Sequence, residues 1–215
     1  MPWFYYFGTF FLMKPFLFFC TSYWLQGKEN IPRQGPLMVV ANHLSLSDPP
    51  LLSASIPRRI VFMAKGELFR HPLFGPLTRG WHAFPVYRGQ LDREAIRRSE
   101  EVLKRGMLLG MFPEAMRSAD ARMQQAYTGA ALIALRSNAT ILPVGITGSH
   151  RLITHGFTFR RPRVEVNIGR PFTLPPRDGR LTKEQLAQAT DIIMARIAEL
   201  LPQEYRGYYG DREGS

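Results

Sequence analysis

Along residues 36–200, short apolar runs of strand length alternate with stretches of helical periodicity, and nothing else in the sequence restricts the fold as much. Pro36 leads into Leu37-Met38-Val39-Val40-Ala41, a continuous apolar run that reads as a buried strand. Similar runs follow at 60–65, 83–88, 107–112 and 140–146, and residues 163–168 alternate as a half-buried strand does. Pro85 inside the 83–88 run suits an edge or irregular strand. Helical stretches separate these runs. One starts at Asp48-Pro49-Pro50 and runs near 49–55. Two short pieces lie between Glu67 and Thr78, broken by Pro72, Gly75 and Pro76. Residues 91–105 put Leu91, Ala95, Ile96, Val102 and Leu103 on one face, with Gly106 as the stop. A small-residue helix over 128–137 ends at Asn138. Thr182 and Gln185 form a capping box ahead of Leu186, Ile193, Ile197 and Leu200, and Pro202 closes that helix. Strands alternating with helices give an α/β domain, here one with a central mixed sheet flanked by helices. The expected division is an apolar N-terminal segment over 1–24, one domain over 25–202, and a polar tail over 203–215 that frays.

The first 24 residues differ from the rest. Trp3-Phe4-Tyr5-Tyr6-Phe7 and Phe10-Phe11-Leu12-Met13 precede Lys14-Pro15, then Phe16-Leu17-Phe18-Phe19-Cys20. No basic leader or small-residue cleavage site makes this a secretory signal. Lys14 and Pro15 also interrupt the roughly 20 apolar residues that a bilayer crossing needs. Aromatic density of this kind suits the lipid–water interface, as a hairpin or interfacial helix; a helix packed on the domain's own core is the alternative. With 28 basic against 17 acidic residues the net charge is +11, and only five of the basic residues are Lys. Arginine's planar fork matches phosphate, so the charge points to an anionic partner. Arg160-Arg161-Pro162-Arg163 reads as a solvated or headgroup-facing turn. The single cysteine, Cys20, excludes an internal disulfide and suits a reducing compartment.

Polar residues collect where strands end, at His43, Lys65, Arg88 and Glu114, and in α/β sheets the ligand crevice lies at the carboxyl ends of strands. His43 and Asp48 are five apart. In a continuous helix they would be rotated by roughly 500° and face apart, but a turn folds them together. A carboxylate on one imidazole nitrogen leaves the other free as a base. Equally, Asp48 fits a helix N-cap beside an ordinary strand-end histidine. Glu114 and Arg117 read either as a phosphate clamp or as a surface ion pair worth about 0–1 kcal/mol. Arg88 is a third candidate anion ligand. Several classes lack their parts: there is no phosphate-binding glycine loop, no dinucleotide fingerprint and no serine elbow. The five histidines show no zinc spacing, and no nucleic-acid-binding signature accompanies the basic charge.

In order and spacing, four blocks resemble the 1-acylglycerol-3-phosphate acyltransferases, a glycerolipid acyltransferase family. They are Asn42-His43-x-x-x-x-Asp48, Phe84-Pro85-Val86-Tyr87-Arg88, Phe112-Pro113-Glu114-Ala115-Met116-Arg117-Ser118, and Ile141-Leu142-Pro143-Val144-Gly145-Ile146. The resemblance runs from about residue 24 to Tyr205-Arg206-Gly207-Tyr208-Tyr209. It implies direct acyl transfer from a thioester, acyl-CoA or acyl carrier protein, to the hydroxyl of lysophosphatidic acid, giving phosphatidic acid. By that resemblance His43 deprotonates the acceptor hydroxyl and Asp48 holds the imidazole. Asn42, Arg88, Glu114 and Arg117 belong to substrate binding, and Pro143 shapes the pocket. A thioester is already activated, so neither metal nor cofactor is expected. The implied setting is a membrane surface, at the cytoplasmic face of the inner membrane. The sequence departs from the family pattern at Ala115-Met116, where Gly-Thr is usual, and at Thr128-Gly129, where many members carry Lys-Gly. Those departures leave open another lysophospholipid or glycerol 3-phosphate as acceptor, or an inactive membrane-binding relative.

Overall fold

The computed structural model describes residues 2–72, 74–81, 83–87, 92–154, 161–176, 179 and 181–210. Its chain opens with α1 (Pro2–Phe7), a π-helical stretch (Gly8–Met13) and α2 (Lys14–Cys20), followed by β1 (Ser22–Gln26) and β2 (Leu37–Ala41). Next come α3 (Asp48–Ser55), β3 (Ile60–Lys65), α4 (Phe74–Gly80), β4 (Phe84–Val86), α5 (Arg93–Lys104) and β5 (Leu108–Met111). The remainder is α6 (Gly129–Ser137), β6 (Thr140–Thr147), α7 (Arg151–Thr154), β7 (Arg163–Ile168), α8 (Lys183–Ala198) and α9 (Gln203–Arg206).

Every residue of β2 is buried, which places it in the middle of the sheet with a core on each side. The sheet has seven strands in the order β1-β7-β6-β2-β5-β3-β4. All neighbours are parallel except β6 and β7, so it is a mixed sheet. Met38 and Val40 face one layer with Leu109, Met111 and Ile141, against α5, α6 and α8. Leu37, Val39 and Ala41 face the other with Ile60, Phe62, Leu142 and Val144, against Leu51 and Leu52 of α3 and Leu17 of α2. Because β2 lies between β5 and β6, the carboxyl ends of three parallel strands meet at one place. The edge position of β4 agrees with the proline inside it. The capping box at Thr182–Gln185 and the left-handed Asn138 after α6 are formed as the sequence implies.

Two expectations change. Ser22–Gln26 is an edge strand, paired in parallel with β7, that straddles the 24/25 boundary. Its residues, Ser22-Tyr23-Trp24-Leu25-Gln26, do not alternate polar with apolar although their burial does from Tyr23 on, and the aromatic run before it masked it. The tail does not fray over 203–210. Tyr209 is buried, its hydroxyl accepts from the Ala126 N–H, and Met123 exchanges backbone hydrogen bonds with Tyr205 and Tyr208. Gly207, at φ +46°, sits where a Cβ would strike the Met123 carbonyl, so this docking needs glycine.

The N-terminal helical run has two faces. Tyr5, Thr9 and Leu17 are buried, and the Tyr5 hydroxyl accepts from the Ile60 N–H. Phe11, Leu12, Phe18 and Phe19 point outward with 60–71% of their surface exposed. Among the described residues no helix is long and apolar enough to cross a membrane. The run therefore packs on the core by one face and leaves an aromatic face uncovered. Arg161 is not free in solvent: it donates to the Phe18 and Thr21 carbonyls and closes the carboxyl end of α2.

Candidate active site

The end of β2 is locked to β6 by a side chain that imitates backbone. Asn42, fully buried, donates from Nδ2 to the Ile146 carbonyl at 2.9 Å and accepts the Ile146 N–H on Oδ1 at 2.8 Å. Each arm of the amide thus bonds the Ile146 backbone, and Asn42, with no exposed surface, clamps the two strand ends together. The next residue turns out of the ladder. The His43 N–H donates to Glu114 Oε1 at 2.9 Å, and its carbonyl accepts from the Ser118 N–H at 2.8 Å. The loop after β5 thus holds the His43 backbone on both sides.

The His43 ring stacks on Phe112, with centroids 4.1 Å apart and planes 20° apart, and Phe112 in turn stacks on Phe62. Gly110 makes that stack possible, since a Cβ there would lie 2.4 Å from the Phe62 ring. Nδ1 of His43 lies 2.8 Å from Asp48 Oδ2. The same oxygen accepts the Leu44 and Ser45 N–H groups, each at 2.7 Å, and Oδ1 accepts from the Ser149 hydroxyl at 2.5 Å. Asp48 is therefore folded back over the turn that precedes it and does not cap α3; Ser47 is the N-cap residue, without a side-chain bond. An ionised carboxylate accepts only, so its contact places the proton of a neutral imidazole on Nδ1. Nε2 then carries the lone pair, has no partner among the described residues, and belongs to a side chain 13% exposed. That is the arrangement of a base at a solvent-reachable site.

Glu114 sits elsewhere in the machinery than a phosphate clamp or a surface ion pair requires. It is 1% exposed, and its second oxygen accepts the Gln124 N–H at 2.8 Å. Both oxygens bind backbone donors, so Glu114 ties two loops together beneath His43. Burial pushes its carboxyl up to about 7; the Gln124 and His43 N–H groups oppose this, and the charges of Asp48 and Asp120 add to it. Between its ordinary value of 4.5 and about 7 the folded chain keeps a proton that the unfolded chain releases. This group's contribution to stability therefore falls as pH rises through that window and levels off above it, by on the order of 3 kcal/mol in all. Glu114→Gln removes the slope. In urea unfolding, wild type should lose stability relative to the variant between pH 5 and pH 8, and parallel curves would mean that another group carries the burial penalty.

Arg117 is exposed, beside the Ser118 that bonds His43, and makes no ion pair among the described residues. Arg88 lies outside the described residues. Pro143 is buried mid-strand, its carbonyl accepting the Gly169 N–H and its ring against Gly169, away from the strand end that carries the site. Ala115 takes a left-handed φ of +58°. Glycine adopts that conformation freely, whereas a Cβ costs about 1–2 kcal/mol there. Sequence reasoning missed Phe112 and Ser149. The rule that found His43, a polar residue beyond a strand's carboxyl end, applies equally to Ser149 beyond β6.

A family model described as "Acyltransferase" matches residues 24–147, which carry the last three residues of β1, all of β2 through β6 and both members of the His43–Asp48 pair. The chain belongs to the acyltransferase family. It is 30% identical over 175 residues to a 1-acyl-sn-glycerol-3-phosphate acyltransferase of Bacillus subtilis, covering 80% of this chain and 85% of that protein. With the Streptococcus pneumoniae protein of the same name it shares 35% identity over 149 residues, 68% of this chain and 54% of the other. The crystal structure of the 1-acyl-sn-glycerophosphate (LPA) acyltransferase PlsC from Thermotoga maritima superposes with a TM-score of 0.69 at 28% identity, over 92% of this chain and 76% of that one. The α/β domain with its mixed sheet is thus an acyltransferase fold, and the resemblance drawn from four short blocks extends across nearly the whole chain.

Proposed function

We propose that this acyltransferase moves an acyl group from an acyl thioester to the free hydroxyl of lysophosphatidate, with His43 as the general base. The observation that carries the reading is the His43–Asp48 contact, which leaves Nε2 without a partner among the described residues, on a partly exposed side chain at the carboxyl end of β2. The names of the relatives support the choice of acceptor. Nε2 takes the proton of the acceptor hydroxyl as its oxygen bonds to the thioester carbonyl carbon. The carbonyl oxygen becomes an oxyanion, which collapses to the ester as the C–S bond breaks. The imidazolium returns its proton to the leaving sulfur, releasing a thiol. Asp48 steadies the imidazolium between these steps. An alcohol is a weak nucleophile at neutral pH, and a positioned base contributes about 10²–10⁴-fold. The thioester supplies the activated carbonyl, so the scheme calls on no cofactor. Arg117, exposed and without an ion pair among the described residues, is next to Ser118 in the chain and is a candidate ligand for the acceptor's phosphate. The test incubates purified protein with acyl-CoA or acyl carrier protein and a panel of lysophosphatidate, other lysophospholipids and glycerol 3-phosphate. Phosphatidate formation with stoichiometric thiol release is expected. Turnover of another acceptor alone would move the assignment to that headgroup, and no turnover of any acceptor would make the chain an inactive relative.

The uncovered aromatic face of the N-terminal run fits the same proposal, because both acceptor and product are bilayer lipids. In it the protein lies on the cytoplasmic face of the inner membrane, with Phe11, Phe18 and Phe19 in the headgroup region. Changing all three to Ser should abolish co-sedimentation with anionic vesicles and leave the thermal midpoint nearly unchanged, since these side chains are already exposed. Undiminished co-sedimentation would shift the membrane contact to another surface.

A further inference from the structure

The His43–Asp48 pair has a third member, supplied by the turn after β6. We propose that Ser149 is a positioning residue for the catalytic base, its hydroxyl fixing the rotation of the Asp48 carboxylate so that Oδ2 faces Nδ1. This rests on the reading of His43 as the base. The four donors to Asp48 are unevenly shared: His43, Leu44 and Ser45 all use Oδ2, and Ser149 holds Oδ1 at 2.5 Å. Both residues are 0% exposed, so water does not replace that donor.

The turn is built to hold Ser149 there. Gly148 takes φ +74°, and a Cβ on it would run into the Arg163 carbonyl, so glycine is needed to swing the chain inward. The Ser149 carbonyl accepts the Leu152 N–H and Gly148 accepts that of Arg151, which fixes the backbone at the start of α7. Asn42 joins the end of β2 to Ile146, three residues before Ser149. The turn bearing His43 and the turn bearing Ser149 therefore keep one register. Among the described residues Asp48 makes no ion pair besides its contact with His43. Arg151 is exposed, His150 turns its ring toward Tyr205, and α3 has no ionisable group besides Asp48. From β5 the nearby charge is Glu114, an anion when ionised, and Asp120 lies beyond it.

Without the hydroxyl, the carboxylate loses its donor on Oδ1 and more of its negative charge falls on Oδ2, which holds the imidazolium harder and keeps the base occupied to higher pH. The test measures acyl transfer to lysophosphatidate across pH 5.5–9 with the full-length wild type, Ser149→Ala and Ser149→Thr. For Ser149→Ala, kcat should fall about tenfold with both KM values within about twofold. The acid limb of its kcat/KM profile should move upward, a change that a loss of packing alone would not produce. Ser149→Thr, which keeps the hydroxyl, should restore the limb and most of the rate. Should Ser149→Ala not fold, Ser149→Cys keeps a side chain of similar shape with a weak donor, and the same upward limb is expected. Wild-type kcat and limb in Ser149→Ala, or a Thr variant as impaired as Ala, would overturn the proposal while leaving His43 as the base. A wild type that transfers no acyl group would remove the base assignment and this proposal with it.

Discussion

Replacing Asp48 with Asn is expected to lower acyl transfer by on the order of 10²–10³-fold in a protein that still folds, the scale of losing one preorganised electrostatic contact to a developing charge. The site is arranged to make this substitution separable from unfolding. In the wild type one carboxylate oxygen takes three donors and the other takes the Ser149 hydroxyl. The amide oxygen of Asn can keep the Leu44 and Ser45 N–H groups, and its NH2 can donate to the Ser149 oxygen, so the buried turn stays satisfied. What disappears is the negative charge beside Nδ1. In the proposed mechanism the imidazolium formed during transfer then lacks its charged partner, while the amide oxygen that keeps Leu44 and Ser45 still accepts from Nδ1 of the neutral ring. The loss should appear in kcat, with KM for both substrates little changed. Asp48→Ala would be a poorer test. It strands two backbone N–H groups and a hydroxyl in a dry interior at about 1–3 kcal/mol each, and confuses folding with catalysis. An Asn variant transferring acyl groups at the wild-type rate would remove Asp48 from the mechanism.

Much of this protein is legible in its sequence because the buried parallel strands announce themselves. β2, β5 and β6 are short apolar runs, and such runs have few other structures open to them. The polar residues just beyond two of them, His43 and Glu114, do converge. The edges and the second contacts are harder to read. β1 is half exposed and follows an aromatic helix, so neither alternation nor a continuous apolar run marks it. The docking of Tyr209 depends on contacts more than 80 residues away in the chain, which no local pattern encodes. Within the site, sequence finds the residue types but not the backbone contacts that Asn42 and Glu114 make. Asn42 and Glu114 look like substrate ligands because they are polar and lie at strand ends. Burial converts both into backbone clamps, since a buried amide or carboxylate is stable only with its hydrogen bonds filled. Ser149 and Phe112 escape notice for the opposite reason, being common residues whose role comes only from where three strands end.

The most direct measurement of the central claim is the rate of His43→Ala beside the wild type, followed as thiol release and phosphatidate formation from an acyl thioester and lysophosphatidate. The substitution leaves a small gap open to solvent, and Asp48 retains Leu44, Ser45 and Ser149 as donors, so the variant should melt near the wild-type temperature. Binding to anionic vesicles should also persist, because the exposed aromatic face of the N-terminal run is untouched. With its base removed, transfer should fall by about 10²–10⁴-fold. A folded His43→Ala protein that forms phosphatidate at the wild-type rate would contradict the account.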